Sequence, residues 1–232
     1  MDVIAIRPEL RMLRFPVGAA YLWRDGDGLT LVDTGTADCA AEIEDVLDGE
    51  LRRIVLTHWH EDHTGSAAAL AARHGAEVVA HRLDAPVIRG QAAGAPAVLE
   101  EFEVPIRAAL PALPPAPPCP VDREVEAGEG LEFGGGAVVV PVPGHTDGSI
   151  ALHLPGPGVL FTGDAVANVG RTMVGVFNTD RVRAVESLHR LARLEVETAV
   201  FGHGDPIAHD AAVALRRAAA RESPDRRNRH PH

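Results

Sequence analysis

The chain has 232 residues, 46% of them hydrophobic and 24% charged, enough apolar material for a sizeable core and too much for wholesale disorder. Its net charge of -11 is the wrong sign for a general nucleic-acid binder, so no nucleic-acid partner is expected. No run approaches the roughly 18 apolar residues of a membrane span. Charges interrupt the N-terminal stretch, and Cys39 and Cys119 lie too far apart for a metal-type pair; the expectation is no membrane association and a reducing, cytoplasmic compartment.

In chain order, β-rich runs predict strands over 3–6, 12–15, 19–23 and 29–32, with a turn cluster from Arg24 to Gly28 between the last two. The spacing of Ile43, Val46 and Leu47 predicts a helix over 38–47. A short buried strand over 53–57 leads into a His-rich loop. An Ala-rich helix over 66–74, capped by Thr64 or Ser66, and a strand over 77–80 follow. Residues 84–120 hold no strand pattern and end in PALPPAPPCP. They read as a Pro-rich insertion with short helices near 85–90 and 98–110, forming a wall or lid over a pocket. Strands resume over 121–125, 131–133, 137–142, 149–154 and 158–162. A helix over 180–193, a strand over 197–201 and a helix over 207–220 complete the pattern. The order predicts one domain over 1–221, two sheets packed face to face with helices outside, and a frayed polar tail over 222–232.

The chemistry concentrates in Thr57-His58-Trp59-His60-Glu61-Asp62-His63, where three His and one Asp follow a buried strand. Imidazole and carboxylate groups suit zinc and other borderline first-row metals. Three later segments share this character. Pro143-Gly144-His145, Thr162-Gly163-Asp164 and Phe201-Gly202-His203-Gly204 each place one His or Asp after a strand and beside a Gly. Gly at such a place lets the backbone approach a metal centre closely. Arg89, Asn168, Arg171 and Asn178 are candidates to line a pocket, and His81 to support the ligands from behind. His74, His153, His189, His230 and His232 read as structural or surface residues.

His58-x-His60-x-Asp62-His63, followed by His145, Asp164 and His203 and preceded by Leu31-Val32-Asp33-Thr34-Gly35, resembles the metallo-β-lactamase superfamily over about residues 12–215. The resemblance implies an α+β, four-layer αβ/βα sandwich with a dinuclear metal site at the edge of the two sheets. It implies that His58, His60 and His145 hold a first metal and that Asp62, His63 and His203 hold a second. Asp164 would bridge the two, Asp33 would brace the motif loop by hydrogen bonds, and Asp62 would also shuttle a proton. Two Zn2+ per chain are implied, with Fe as the alternative.

Within that superfamily, β-lactamases usually lack the Asp164 equivalent, and flavodiiron proteins need Glu where His60 stands. Glyoxalase II enzymes match all seven ligands but carry a C-terminal helical extension that grips glutathione; the short stretch after His203 argues against a glutathione thioester. Acyl-homoserine lactonases use a Tyr near the site, and the single Tyr here, Tyr21, is read as far from the matching region. The best resemblance is to a small bacterial glyoxalase II-like and lactonase-like group. The expected function is therefore a zinc-dependent hydrolase that cleaves a small ester, lactone or thioester by a metal-bridging hydroxide, with a small carbonyl compound as partner. A mononuclear iron persulfide dioxygenase and a non-catalytic ligand-binding scaffold are the alternatives.

Overall fold

The computed structural model describes residues 1–222. A seven-stranded sheet takes the first half in chain order: β1 (Asp2–Arg7), β2 (Leu10–Arg14), β3 (Ala19–Asp25), β4 (Gly28–Val32), β5 (Glu50–Leu56), β6 (Glu77–His81) and β7 (Arg123–Val125). β1 to β4 form an antiparallel meander, whereas β4 to β7 run parallel. The parallel strands read as near-continuous apolar runs because they are covered on both faces. Alternation along them divides two cores. Leu29, Leu31, Ile54, Leu56 and Val78 face helices α1 (Ala40–Glu44), α3 (Ala67–His74) and α4 (Ala85–Ile88), while Val32, Val55 and Val79 face the second sheet.

That second sheet contains β8 (Gly130–Leu131), β9 (Ala137–Pro141), β10 (Ile150–Leu154) and β11 (Val159–Phe161). A separate hairpin, β12 (Val166–Val169) and β13 (Arg171–Val174), precedes β14 (Thr198–Val200), which closes the sheet parallel to β11. Ile150, Leu152, Phe161 and Val200 fill the space between the sheets. Ala151, Leu160 and Ala199 point outward beneath α6 (Arg181–Leu191) and α7 (Ala211–Arg221). The result is a four-layer α+β sandwich, as expected.

Two further helices matter to the site, α2 (Glu61–Thr64) within the His motif and α5 (Glu103–Ala109) within the insertion. In sequence the first reads as loop, and the β12–β13 hairpin is not among the predicted strands. The predicted helix over 38–47 is regular only in α1, and the one over 207–220 starts at Ala211 because Ile207 bridges to Ala199. The predicted strand over 131–133 shrinks to Gly130–Leu131, since Phe133 begins the tight turn into β9. Ser66 does not cap α3 with its side chain; its hydroxyl donates to the Thr36 carbonyl instead. Glu222 is not a free tail residue, because its carboxylate meets Arg181. The remainder of the predicted tail, with His230 and His232, lies outside the described residues. Among the described residues no helix is long and apolar enough to cross a membrane.

Candidate metal centre

The site lies where β4, β5, β9, β11 and β14 end. Directly after β4, Asp33 is buried and adopts φ 61°, a left-handed backbone that costs a non-glycine residue energy and persists only where its surroundings fix it. Its Oδ1 accepts from the Thr57 backbone N–H at 2.8 Å. Its Oδ2 accepts from Thr57 Oγ1 and from His63 Nδ1, both at 2.8 Å. Nδ1–H of His63 is thereby committed to Asp33, which turns the Nε2 lone pair toward the cluster. Thr57 Oγ1, having given its proton to Asp33, accepts from His58 Nδ1 at 3.0 Å and orients a second imidazole in the same way.

Three sets of donors converge: His58, His60 and His145; His58, His63 and Asp164; and Asp62, His63 and His203, the donor atoms of each set lying within 4.8 Å of one another. His60 Nδ1 stands 3.0 Å from His58 Nε2 and 2.9 Å from His145 Nε2. Asp164 lies between the sets, with Oδ2 3.5 Å from His145 Nε2 and 3.2 Å from His203 Nε2, and Oδ1 3.4 Å from His63 Nε2. Asp62 Oδ2 is 3.3 Å from His203 Nε2. All seven sequence candidates therefore meet in one place.

The charges divide the cluster. Burial, reinforced by neighbouring imidazoles, holds His58 and His145 below the ordinary histidine range and His60 at about 3. These three present neutral nitrogen donors. The Asp164 carboxylate carries His203 up to about 10. Burial opposes charge on His63, but Asp164, Asp62 and Asp33 together push it well above its usual value. Burial also opposes the Asp62 carboxylate, yet His63 and His203 hold it at about 2; burial likewise opposes charge on Asp164, and the same two imidazoles hold it well below the carboxylate range. Two buried carboxylates thus require compensating positive charge, which protons or metal ions can supply.

The donor set fits divalent metal. His63 Nε2 and Asp164 Oδ1 are buried without a hydrogen-bond partner although they face each other, the state expected of ligand atoms aimed at a shared cation. Gly202 leaves them room: a Cβ there would stand 1.8 Å from Asp164 Oδ1 and 2.8 Å from His63 Cε1.

One supporting residue has no counterpart in the sequence reading. Asp84, buried at the start of the insertion, accepts from the backbone N–H of Trp59 at 3.1 Å, Thr146 Oγ1 at 2.7 Å and the Gly148 N–H at 2.9 Å. It joins the loop carrying His58 and His60 to the loop carrying His145. Burial pushes its carboxyl up to about 6 despite those donors. In sequence an Asp ahead of Ala85-Pro86 reads as a helix cap, and nothing local marks it as a brace.

Tyr21 also departs from expectation. Its hydroxyl donates to the Phe201 carbonyl at 2.6 Å and accepts from the Phe201 N–H at 3.2 Å, two residues before His203. It is close to the site in space, yet it is buried between the sheets and fully engaged by backbone, so it does not face substrate. Arg89 is tied to Glu124 and the Val121 carbonyl, and Asn178 is buried with its amide on the Gly175 carbonyl; neither lines the cavity. Asn168 ties the hairpin to Asp205, and the His81 Nδ1 accepts from the Leu83 N–H at 3.3 Å. Of these candidates only Arg171 borders the cavity.

The cavity above the cluster has a volume of about 1710 Å3. Asp62, His145, Asp164 and His203 form its floor, residues 94–113 of the insertion contribute one wall, and the β12–β13 hairpin contributes another.

Residues 13–203 match the profile of the Metallo-beta-lactamase superfamily. Among curated proteins, the chain is 30% identical over 199 residues to a hydroxyacylglutathione hydrolase of Rhodobacter capsulatus, covering 84% of this chain and 65% of that one. It is 33% identical over 192 residues to the enzyme of that name from Methylobacillus flagellatus, covering 79% of this chain and 61% of that one. The match thus spans less than two thirds of these relatives' length. A HARLDQ-motif mutant metallo-beta-lactamase from Cronobacter sakazakii shares the fold, with a TM-score of 0.73 at 21% identity over 95% of this chain and 91% of that one. The protein TTHA1623, solved in a di-iron-bound form, superposes with a TM-score of 0.62 at 30% identity over 83% of this chain and 91% of that one.

Proposed function

Because this chain belongs to the metallo-beta-lactamase superfamily, we propose that it is a dinuclear, zinc-dependent hydrolase of carbonyl compounds: esters, lactones or thioesters. The observation that carries this reading is the pair of buried, unpartnered donors on His63 and Asp164, set between three neutral imidazoles and the Asp62–His203 pair. In this reading His58, His60 and His145 hold one ion, Asp62, His63 and His203 hold the other, and Asp164 is shared. When bound, divalent ions supply Lewis acidity and lower the pKa of water toward ~7.

The chain's own residues do the rest. Asp33 and Thr57 fix the tautomers of His63 and His58, so their Nε2 atoms are already aimed at the site. Asp84 fixes the distance between the two loops that carry the neutral imidazoles. Asp62, which borders the cavity, is the carboxylate placed to take a proton from the attacking water and pass it to the leaving group. The relatives' name supports a thioester as one member of the substrate class. We favour less anionic substrates than glutathione conjugates, because two of the four arginines that line the cavity are paired with acids, Arg14 with Asp205 and Arg181 with Glu222.

The likeness to a di-iron-bound protein supports iron as a second occupant of the same donors. Metal analysis of protein purified without added metal, followed by assays of a homoserine-type lactone, an aryl ester, a short acyl thioester, a glutathione thioester and a β-lactam, tests the reading. About two zinc ions per chain with turnover of the first three is expected. One iron per chain, with oxygen consumed in the presence of a persulfide, would replace it with a dioxygenase. Full metal occupancy without any turnover would leave a ligand-binding scaffold.

A further inference from the structure

Leu99, Phe102, Ile106 and Leu110 are spaced by three, four and four residues, the pattern of an apolar helix face, although of the predicted helix near 98–110 only Glu103–Ala109 forms: Ile106 lies within it, Phe102 and Leu110 flank it and Leu99 precedes it. Such a face normally buries itself in a core. Here all four remain between 38% and 47% exposed, and all four line the cavity above the metal-ligand cluster. Met173 of the β12–β13 hairpin lines the same cavity.

The gap is held open. The Glu103 side chain is buried beneath α5, where its Oε1 accepts from the Phe177 N–H at 3.0 Å and its Oε2 from the Glu100 N–H at 2.9 Å. Phe177 sits at φ 60°, in the left-handed region, and carries the Arg107 guanidinium over its ring at 5.8 Å. Arg181 lies 5.7 Å over the Phe102 ring. The Val98 N–H adds a bond to the Asn178 carbonyl at 2.9 Å. These ties anchor the insertion to the body, with Arg181 over Phe102, and leave Leu99, Ile106 and Leu110 partly exposed toward the cavity. The cavity also exceeds the roughly 300–1,000 Å3 of ordinary small-ligand pockets.

The geometry points to an acyl-chain groove: the substrate carries a linear hydrocarbon chain on its carbonyl, which lies along Leu99, Phe102, Ile106 and Leu110 while the carbonyl carbon rests at the cluster. This rests on the hydrolase reading for the reaction only. In that reaction the oxygen of water bonds to the acyl carbon and the bond to the alcohol oxygen or thiol sulfur breaks. One proton of the water goes to the leaving group, and the products are a carboxylic acid and an alcohol or thiol. Continuity with the reacting end is what selects a chain on the substrate over a second protein. The cavity that reaches Asp164 and His203 is the cavity these four side chains line.

The test has two arms on the metal-loaded full chain. Calorimetry measures binding of linear carboxylates of four, eight and twelve carbons, which are product analogues and need no turnover. Kinetics measures kcat/KM for aryl esters of the same three lengths. Affinity and kcat/KM are both expected to rise, by about tenfold or more for each four carbons, a fraction of what full burial of four methylenes would give. Ile106→Asp and Phe102→Ser should reduce that gain by about tenfold, whereas Val104→Asp, on the same helix but off the cavity, should not change it. Length-dependent binding without hydrolysis would keep the groove and refute the hydrolase. Hydrolysis with no dependence on chain length would keep the hydrolase and refute the groove. A change of oligomeric state in Ile106→Asp, with chain-length dependence intact, would assign the face to a second copy and also refute the groove.

Discussion

The ligand cluster and the insertion border the same cavity but are built on opposite principles. In the cluster the ligands are buried and several are held from behind by a second residue, leaving their inward atoms free: Asp33 on Thr57 and His63, Thr57 on His58, Asp84 on Trp59 and Thr146. The insertion presents half-exposed aliphatic and aromatic side chains held by a few bonds around Glu103 and Phe177. Chemistry that depends on the placement of charge demands over-determined geometry. Recognition of hydrocarbon demands only shape and dryness. Substitutions should therefore be severe on one side and graded on the other.

The largest effect is expected from Asp164→Ala. Losing the shared carboxylate should release about half the bound metal and lower kcat by on the order of a thousandfold, at the upper end of single electrostatic contributions. Retention of full metal and activity, by metal analysis and ester kinetics, would dissolve the seven-ligand assignment. Asp33→Asn comes next. It replaces Oδ2, the acceptor for Thr57 Oγ1 and His63 Nδ1, with an amide donor and should weaken metal affinity by about 10- to 100-fold, read by competition with a chromophoric chelator.

Asp84→Ala tests the brace through stability. It leaves the Trp59 and Gly148 N–H groups and the Thr146 hydroxyl without their acceptor, so a loss of about 2 kcal/mol or more is expected in urea unfolding. The pH dependence has a definite sign. With its folded pKa up to about 6 against about 3.9 unfolded, Asp84 contributes stability that is fully present below the unfolded value and is lost as pH rises through 6. The wild-type advantage over Asp84→Ala should therefore grow as pH falls from 7 to 4. A constant gap would mean that the carboxyl is already charged throughout.

The smallest effect belongs to the insertion. Glu103→Ala should cost about 1 kcal/mol of stability and raise proteolytic sensitivity within 94–113, while metal content stays unchanged. If it stripped metal from the cluster, the two regions would be mechanically one.

The same contrast explains what the sequence makes legible. The seven ligand candidates stand out because metal chemistry restricts residue type and their spacing follows from adjacent strand ends. The parallel core strands are legible because burial on both faces leaves unbroken apolar runs. Asp84 and Tyr21 are not, since each acts on backbone 25 to 180 positions away and looks locally like a cap or a core aromatic. The β12–β13 hairpin escapes because its strands are four residues each around a single Gly170, too short to show alternation. The helical phase of Leu99, Phe102, Ile106 and Leu110 is present in the sequence, but periodicity says only that a face is apolar. Whether that face meets core or cavity is decided by tertiary structure.

His58, His60, Asp62 and His63 all follow a strand of the first sheet, whereas His145, Asp164 and His203 follow strands of the second. Neither half of the chain owns a complete coordination sphere. The insertion lies between β6 and β7, both strands of the first sheet, so a cut there would leave β7 on the same fragment as the second sheet. A chain cut once within 94–113 would consist of two fragments that share an apolar interface and one set of ligands. Their reassociation would then depend on metal concentration, with a chelator acting as the dissociating agent. The fold thus behaves as an intramolecular heterodimer whose obligate interface is also its reaction centre.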